Sequence, residues 1–474
     1  MRRGLRVRAL LVVASVALGL LGTVPVRAGH GEDDHSENFV QQAQHQIDAG
    51  KGLFGSGSDL AFKGRLMVAG SYEGPSFWRI YRRAPYIKQI GFANCPGGQG
   101  DVTIFGDYLF TSVDSGRVGP TCSVEDTATA PQTQVSAGEA WEGLHIFDIS
   151  DPTRPKEVGS VDMPCGSHTN TMLPGKTKSY IYIQSYPLGA PTTDCNPESH
   201  RKVQIVEFPN NDPSKAKLLD DVIDVSPSIG CHEMTTFPKL GLMFGACIDR
   251  SLVWDISKDP TKPEQIAEIL NPDIQIHHST AVTWDGKYLV LGDEYLGAAG
   301  GGGCTGDEDA TVGAAWIYDI KDPAAPSLVG HHALPRLIDP PSTPREAEGF
   351  RCTNHLFDII PMKDPKKYIM ANSYYLGGIA VIDFSDPTDP TEIGYYVDKS
   401  KEGVQPDTWA AYWYNGRIYT NDHASLNGVG AYKFKGTGRG KAYFFGKGSL
   451  NPTGEFNPQV QLPDSIRSRN KTLK

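Results

Sequence analysis

Four histidines stand in short motifs, each at the start of a segment that favours a β-strand. The motifs are CGSHTN around His168, GCHEMT around His232, IHHST around His278 and CTNHLF around His355. Neutral imidazole is the commonest metal ligand in proteins, and it suits copper, iron and zinc. If the fold brings these side chains together, they predict a site for one copper, iron or zinc ion with an open coordination position.

A repeated unit decides whether the four histidines can meet. The unit is a β-branched and aromatic strand, an Asp-Pro turn and a second short strand. Clear copies begin at Gly143, Ser251, Ala315 and Ile379, and weaker copies begin at Arg79, Val203 and Gly430. Aspartate and proline favour tight turns, so the Asp-Pro pairs are expected to be structural. The spacing, with insertions, suits a propeller blade of about 40–50 residues.

The repeat predicts an all-β fold, a seven-bladed β-propeller of four-stranded antiparallel blades over residues 58–446. Closing a ring protects the sheet edges that a linear solenoid, the alternative, leaves exposed. A short helix is predicted at Ser36–Ile47, within an N-terminal segment (29–57) outside the ring. Residues 447–474 are expected to form a C-terminal tail. Either Ala442–Phe445 or the N-terminal segment supplies the strand that closes the last blade.

The start of each blade's first strand is the innermost position on one face of the ring, which we call the top face. Around the ring, these positions hold Asp59, Asp101, His168, His232, His278, His355 and Asp407. Four consecutive blades therefore present a histidine to the mouth of the central channel. The competing interpretation is that these histidines line a hydrated channel and cap strand ends by hydrogen bonding.

Other residues are candidates for supporting roles. His277 is the alternative to His278, because a register slip of one residue reverses the facing of a strand. Glu233 and Asp358 are candidates to orient the imidazoles, and His423, in the top loop of the last blade, is a further participant.

The eight cysteines fall on the same top face, and no CxxC motif occurs. An even count in an exported chain predicts disulfides. The simplest pairing is sequential: Cys95–Cys122, Cys165–Cys195, Cys231–Cys247 and Cys304–Cys352. The alternative to a disulfide at Cys231 is a catalytic thiolate beside His232.

The first 28 residues read as a secretory signal peptide, with a basic start, an apolar run and Val26-Arg27-Ala28 as the cleavage signal. A retained membrane anchor is the alternative. Removing this segment changes the formal charge from −10 to −15. That balance argues against nucleic acid as a partner. We expect a secreted or cell-surface monomer with no transmembrane span in the mature chain.

The units LHIFDISDPTRPKEVG, LVWDISKDPTKPEQIA and IAVIDFSDPTDPTEIG resemble the LVIVD repeat of secreted and surface bacterial propellers, over about residues 60–435. A more distant similarity is to selenium-binding proteins and methanethiol oxidases, propellers with a copper-dependent thiol oxidase activity. The similarity rests on a loose match of the histidine-rich motifs of those proteins to Cys231–Glu233 and His277–His278. The signal peptide and the eight cysteines depart from the cytosolic members, and no local motif matches well enough to carry over a catalytic residue.

Two functions follow from these features. The leading hypothesis is a binding or interaction module whose top face takes a protein or small-molecule ligand. The alternative is a copper- or iron-dependent oxidase or oxygenase that acts on a small molecule at the four-histidine centre. A hydrolase is not supported, because neither GxSxG nor HExxH occurs.

Overall fold

The computed structural model describes residues 34–117, 119–122, 141–187, 195–295, 311–335, 353–398, 406–437, 440–446, 451 and 454–462. The regular secondary structure of these residues is almost entirely β-strand. Their one α-helix is α1 (Pro197–His200), and two short 3-10 turns lie at Pro213–Lys215 and Lys435–Thr437. Within this part of the chain, no helix is long and apolar enough to cross a membrane.

The chain forms a β-propeller in which five blades are separate sheets of four consecutive antiparallel strands. The first of these blades contains β5 (Gly57–Lys63), β6 (Leu66–Ser71), β7 (Ser76–Ile80) and β8 (Ile87–Phe92), and the second contains β9 (Val102–Phe105), β10 (Tyr108–Arg117), β11 (Trp141–Asp148) and β12 (Lys156–Asp162). The third contains β13 (Thr169–Leu173), β14 (Lys178–Gln184), β15 (Lys202–Pro209) and β16 (Lys217–Asp224), and the fourth contains β17 (Glu233–Phe237), β18 (Leu242–Ala246), β19 (Ser251–Asp255) and β20 (Glu264–Ile269). The fifth contains β21 (His277–Val282), β22 (Tyr288–Asp293), β23 (Ala315–Asp319) and β24 (Ser327–His332).

The other strands come from both ends of the chain. They are β1 (Asp34–His35), β2 (Phe39–His45), the hairpin β3 (Ile47–Gly50) and β4 (Leu53–Gly55), β25 (Asn354–Ile360), β26 (Ile369–Tyr374), β27 (Gly378–Asp383), β28 (Thr391–Val397), β29 (Thr408–Tyr414), β30 (Arg417–Asp422), β31 (Val429–Phe434) and β32 (Glu455–Phe456). One nine-stranded sheet has the order β1-β28-β27-β26-β25-β29-β30-β31-β2, and β32 extends the first separate blade beside β5.

The prediction of seven separate four-stranded sheets is therefore wrong as stated. The reason is a short parallel pairing between the first strands β25 and β29, in which Leu356 lies opposite Ala410 and Phe357 opposite Ala411. This pairing merges two four-stranded units into one sheet.

The predicted helix at Ser36–Ile47 is also wrong. Residues Phe39–His45 form β2, which pairs antiparallel with β31 from Phe39–Phe434 to His45–Val429. The free edge of β31 offers backbone partners to this segment, and tertiary pairing overrides a weak local helix preference. Of the two alternatives for the closing strand, the N-terminal segment supplies it.

The first strands of successive units contact one another in a closed order around the axis: β5, β9, β13, β17, β21, β25, β29 and again β5. This closure excludes the linear solenoid. Side-chain hydroxyls tie neighbouring first strands together. Thr171 donates to the carbonyl of Met234 at 2.9 Å, and Thr235 donates to the carbonyl of Thr280 at 2.8 Å. These bonds fix the relative height of the inner strands and hence of the residues at their ends.

The Asp-Pro turns have the predicted structural form. In the turn after β19, the carboxylate of Asp259, which precedes Pro260, accepts a hydrogen bond from the backbone N–H of Thr261 at 2.9 Å. Asp386, which precedes Pro387, accepts from the backbone N–H of Thr388 in the same way at 3.1 Å. The bond from Thr261 lowers the pKa of Asp259, because it stabilises the charged carboxylate. The turns thus connect the third and fourth strands on the face opposite the histidines.

Candidate functional site

The four candidate histidines occupy equivalent places in the fold. His168 and His232 lie directly before β13 and β17, while His278 and His355 are the second residues of β21 and β25. All four are buried, with 0–4% of each residue exposed. The imidazoles therefore do not point into solvent. Histidines that only cap strand ends at a wide channel mouth would be exposed.

Hydroxyl groups next to the histidines set their positions. Thr169, which follows His168, donates to the backbone carbonyl of His232. Ser279, which follows His278, donates to the backbone carbonyl of His355 at 2.6 Å. Each hydroxyl links a histidine to the histidine of the next unit. The repeat thus places the four side chains at one level of the channel.

The four rings form a contiguous arc, which we call the histidine arc. Ring centroids are 4.5 Å apart for His168 and His232, 3.6 Å for His232 and His278, and 4.3 Å for His278 and His355. The Nε2 atoms of His168 and His232 are 2.9 Å apart. Each imidazole is thus close enough to the next for both to bind the same metal ion.

Two partners fix which ring nitrogen faces the arc. The Nδ1 atom of His168 lies 2.7 Å from a carboxylate oxygen of Asp114, and the Nδ1 atom of His355 lies 2.6 Å from the backbone carbonyl of Trp409. Both oxygens are acceptors, so Nδ1 carries the proton. In the neutral rings Nε2 then carries the lone pair, which is the arrangement found in histidines that bind metals.

Glu294 adds a carboxylate to the arc. Its oxygens lie 3.5 Å from Nε2 of His278 and 4.0 Å from Nε2 of His355. Side-chain ligand atoms of His232, His278 and Glu294 lie within 4.8 Å of one another, close enough to share a metal ion. Sequence reasoning missed Glu294. Its only signal was its position directly after β22, on the top face.

Burial keeps the central imidazoles neutral. It lowers the pKa of His232 and of His278 well below the usual histidine value, and the neighbouring histidines lower both further. Among the described residues, neither ring nitrogen of His278 has a hydrogen-bond partner, and neither does Nδ1 of His232. Neutral buried imidazoles with unused nitrogens are competent to bind a metal ion.

The supporting candidates lie elsewhere. His277 turns away from the arc, and its Nδ1 lies 2.8 Å from the Ser251 hydroxyl. His423 packs edge-on against Tyr72, with ring centroids 4.9 Å apart, and lies tilted against Trp409 at 5.4 Å. The Asp358 carboxylate accepts from the backbone N–H of Trp413 at 2.9 Å.

Glu233 is buried at the head of β17. Burial raises its pKa well above the usual value, and the charge of Asp59 raises it further. The groups that contact Nδ1 of His168 and of His355 are Asp114 and the Trp409 carbonyl, which the sequence did not single out.

Three disulfides pin the top face: Cys95–Cys122, Cys165–Cys195 and Cys231–Cys247. They are the first three pairs of the sequential pairing. Cys304 and Cys352 lie outside the described residues. The alternative of a catalytic Cys231 thiolate is wrong, because Cys231 is bonded to Cys247.

Aromatic side chains surround the arc. Tyr186 packs edge-on against His168 at 4.9 Å and also contacts His232 at 5.4 Å. Tyr375 and Trp409 flank His355, with ring centroids at 4.5 and 4.6 Å. The arc thus lies in a largely aromatic enclosure.

The other end of the channel is crossed by the segment that follows β32, residues 457–462. The backbone N–H of Thr236 donates to the carbonyl of Gln459, and that of Gln461 donates to the carbonyl of Thr236, both at 2.9 Å. The Asn457 side chain bonds both backbone groups of Ile104, at 2.8 and 2.9 Å. This segment, here called the plug, thus fastens to two inner strands.

Comparison with known proteins supports the repeat. The LVIVD repeat model matches residues 138–163 and 375–398. These segments include β11, β12, β27 and β28, so two units of the propeller match this repeat. The comparison with curated proteins found no match.

Three solved structures show the extent of the likeness. A protein of unknown function from Desulfotomaculum acetoxidans is 12% identical, has a TM-score of 0.45 and aligns over 72% of this chain and 84% of its own. The periplasmic gluconolactonase PpgL of Pseudomonas aeruginosa is 13% identical, with a TM-score of 0.46 over 80% and 97%. Sqt1 of Saccharomyces cerevisiae is 10% identical, with a TM-score of 0.46 over 84% and 86%. Identities this low carry no argument about activity.

Proposed function

We propose that this protein binds one copper or iron ion at the histidine arc and uses it as an oxidase or oxygenase of a small molecule. The observation that carries the proposal is the convergence of four buried imidazoles, two of which have Nδ1 committed to an acceptor. Imidazole ligands suit copper, iron and zinc, and of these copper and iron exchange electrons under physiological conditions.

The arrangement of acceptors around the arc supports a cation. Nε2 of His355 and a carboxylate oxygen of Glu294 face each other across 4.0 Å, and with Nδ1 of His355 protonated both atoms carry lone pairs. Two such lone pairs repel each other, whereas a positive ion between the two atoms would be bound by both. His168, His232, His278 and His355 would hold the ion, with Glu294 as a fifth ligand. A bound redox metal would supply one-electron and dioxygen chemistry at this point.

The surroundings of the arc suit a small, largely apolar substrate. Tyr186, Tyr375 and Trp409 enclose the histidines, and the plug crosses the opposite end of the channel. Substrate therefore enters from the top face, past Tyr186. Burial, together with the charges of Glu294 and Asp114, raises the pKa of Tyr186 well above its usual value, so its hydroxyl stays protonated and available to donate a hydrogen bond.

A binding module is the second candidate. The disulfides support this candidate, because they fix loops of the top face, and a rigid recognition surface requires fixed loops. Two of those bridges, however, also hold the segments that lead into the arc, since Cys165 precedes His168 by three residues and Cys231 precedes His232 directly. We therefore infer that these two disulfides support the metal centre.

The ring is proposed to have seven blades. The nine-stranded sheet divides into β25–β28 and into β29–β31 with β2, each with the strand order of the separate blades. The closed order of contacts among the first strands also runs through seven members. The three disulfides fit an oxidising compartment, which supports secretion.

Elemental analysis tests the proposal. The full-length protein is purified from its secreting host without a histidine tag, beside His278→Ala, His232→Ala and, as control, His45→Gln, which changes an exposed histidine in β2. We expect near-stoichiometric copper or iron in the wild type and the control, and loss of more than nine-tenths in both arc variants. Absence of metal in correctly folded wild-type protein, or stoichiometric zinc alone, would overturn it.

A further inference from the structure

We propose a second cation site beside the histidine arc: an oxygen-lined site for a hard divalent cation of the Ca²⁺ class, formed by Asp59, Asp101, Glu233 and Gln459. It does not depend on the redox metal proposed above, because its ligands are oxygens rather than imidazoles. The two sites meet at His232, which borders both.

A cavity on the channel axis carries this inference. Its walls include Ser58, Asp59, Asp101, Glu233 and Gln459, and His232 and Thr169 connect it to the arc. The cavity has room for about one water-sized particle. Each of the five wall residues is at most 4% exposed. The site is therefore built into the core of the ring rather than into a surface cluster of acids.

Several polar atoms of this wall lack a partner. Within the described part of the chain, no hydrogen bond reaches Ser58 Oγ, Asp59 Oδ2, Glu233 Oε2 or Gln459 Oε1. Leaving a buried polar atom without a partner costs about 1–3 kcal/mol. Several such atoms around one cavity are accounted for if a ligand occupies it.

The types of atom define that ligand. Carboxylate and amide oxygens accept hydrogen bonds, whereas the Ser58 hydroxyl and the amide nitrogen of Gln459 can also donate. Three acidic side chains and one amide oxygen around one cavity repel an anion and attract a cation. Oxygen ligands without sulfur are those preferred by Ca²⁺, Mg²⁺ and Mn²⁺.

Neighbouring donors already hold the acids in place. Tyr412 donates to Oδ1 of Asp59 at 2.6 Å, which leaves Oδ2 for the cavity. The backbone and side-chain nitrogens of Asn170 donate to Oδ2 of Asp101 at 2.7 and 2.8 Å. The two carboxyl groups thus have fixed orientations, as the ligands of a preformed ion site do.

Gln459 is the one proposed ligand that does not come from a blade. The plug carries it into the channel, where its backbone carbonyl accepts from Thr236. Its side chain lies beside the carboxyl groups of Asp59 and Glu233. The site therefore joins residues near both ends of the chain, so a bound cation would also lock the plug into the ring.

Calcium binding to the full-length protein tests the site. The protein is stripped with a chelator, and Ca²⁺, Mg²⁺ and Mn²⁺ are titrated by calorimetry. We expect one cation bound per chain, with affinity lowered at least about tenfold in Gln459→Met and by more in Glu233→Gln. Gln461→Met is the matched control: it removes a buried glutamine two positions along the plug that does not line the cavity.

Each outcome decides the proposal. His278→Ala must bind calcium as the wild type does, which separates this site from the redox centre. If Glu233→Gln fails to fold, Gln459→Met decides alone. No binding of any of the three cations, or equal binding in Gln459→Met and Gln461→Met, would overturn the inference. That result would instead favour a proton shared between Asp59 and Asp101.

Discussion

Asp114 holds His168 through a 2.7 Å contact between a carboxylate oxygen and Nδ1, and this contact turns Nε2 of His168 toward His232. The two residues come from neighbouring blades, since Asp114 is in β10 and His168 leads into β13. The carboxylate is 9% exposed and the imidazole 1%, so the pair is shielded from water. An orienting carboxylate of this kind strengthens the basicity of a metal ligand.

Replacing Asp114 by asparagine should weaken metal binding by about 10–100-fold without unfolding the protein, because losses of this size are typical for orienting partners of metal ligands. The measurement is a competition titration against a chromophoric chelator. Asp107→Asn is the control, since Asp107 pairs with Lys63 at the exposed end of β10. Equal affinity in the two variants would show that the Asp114 contact does not support the centre.

Adjacent histidines should respond in opposite ways to replacement by leucine. In the metal-free protein, His278→Leu should stabilise the fold by about 1 kcal/mol, because it removes a buried imidazole that has no hydrogen-bond partner among the described residues. His277→Leu should destabilise it by about 1–2 kcal/mol, because it breaks the bond with Ser251. Denaturant unfolding measures both. Destabilisation of equal size in the two variants would mean that His278 is structural.

The adjacent pair also shows the limits of sequence reasoning. The repeat period predicted that an imidazole from each of four blades would reach the channel, and the hairpin register decided between His277 and His278. Asp114 was not predictable, because it lies in a different blade from His168. Glu294 was not predictable either, because it lies between His278 of its own blade and His355 of the next blade, and no local pattern encodes such contacts.

Segments outside the repeats were predicted least well. The helix at 36–47 failed because only the free edge of β31, almost 400 residues away along the chain, makes that segment a strand. The plug was not predicted, for a similar reason. Its sequence shows no alternation of apolar and polar residues, and its partners Ile104 and Thr236 come close to it only in the closed ring.

Acid should destabilise the metal-free protein through His277. Burial lowers the pKa of His277 to about 4, below the value of about 6.5 for an unfolded histidine. Between these values the unfolded state binds more protons, so His277 contributes stability above about pH 6.5 that is lost as the pH falls toward 4.

The loss should approach about 1.4 kcal/mol per pH unit. Unfolding free energies of the wild type and of His277→Gln, compared from pH 7 to pH 4, isolate this contribution. The difference between the two proteins should shrink steadily with acid. Parallel profiles would contradict the assignment.

The Cys231–Cys247 disulfide should matter for metal binding as well as for stability. It closes a short loop of 16 residues and sits directly before His232. Replacing both cysteines by serine should lower the free energy of unfolding by about 2–4 kcal/mol and weaken metal binding, because the His232 backbone loses its anchor.

The Cys95–Cys122 bridge provides the comparison. It closes 27 residues on the same face but lies beside His145 rather than the arc. Its double-serine variant should lose similar stability and keep its metal. Thermal unfolding and elemental analysis distinguish the two cases, and equal metal loss in both variants would show that the disulfides act only through global stability.

The most direct test of the metal centre is X-ray absorption spectroscopy at the copper and iron edges of the protein as purified. The histidine arc predicts a first coordination shell of three or four imidazole nitrogens with a further oxygen, and a reduced number of nitrogens in His278→Ala. A shell of sulfur atoms, a shell of water oxygens alone, or no copper or iron in the folded protein would contradict the account.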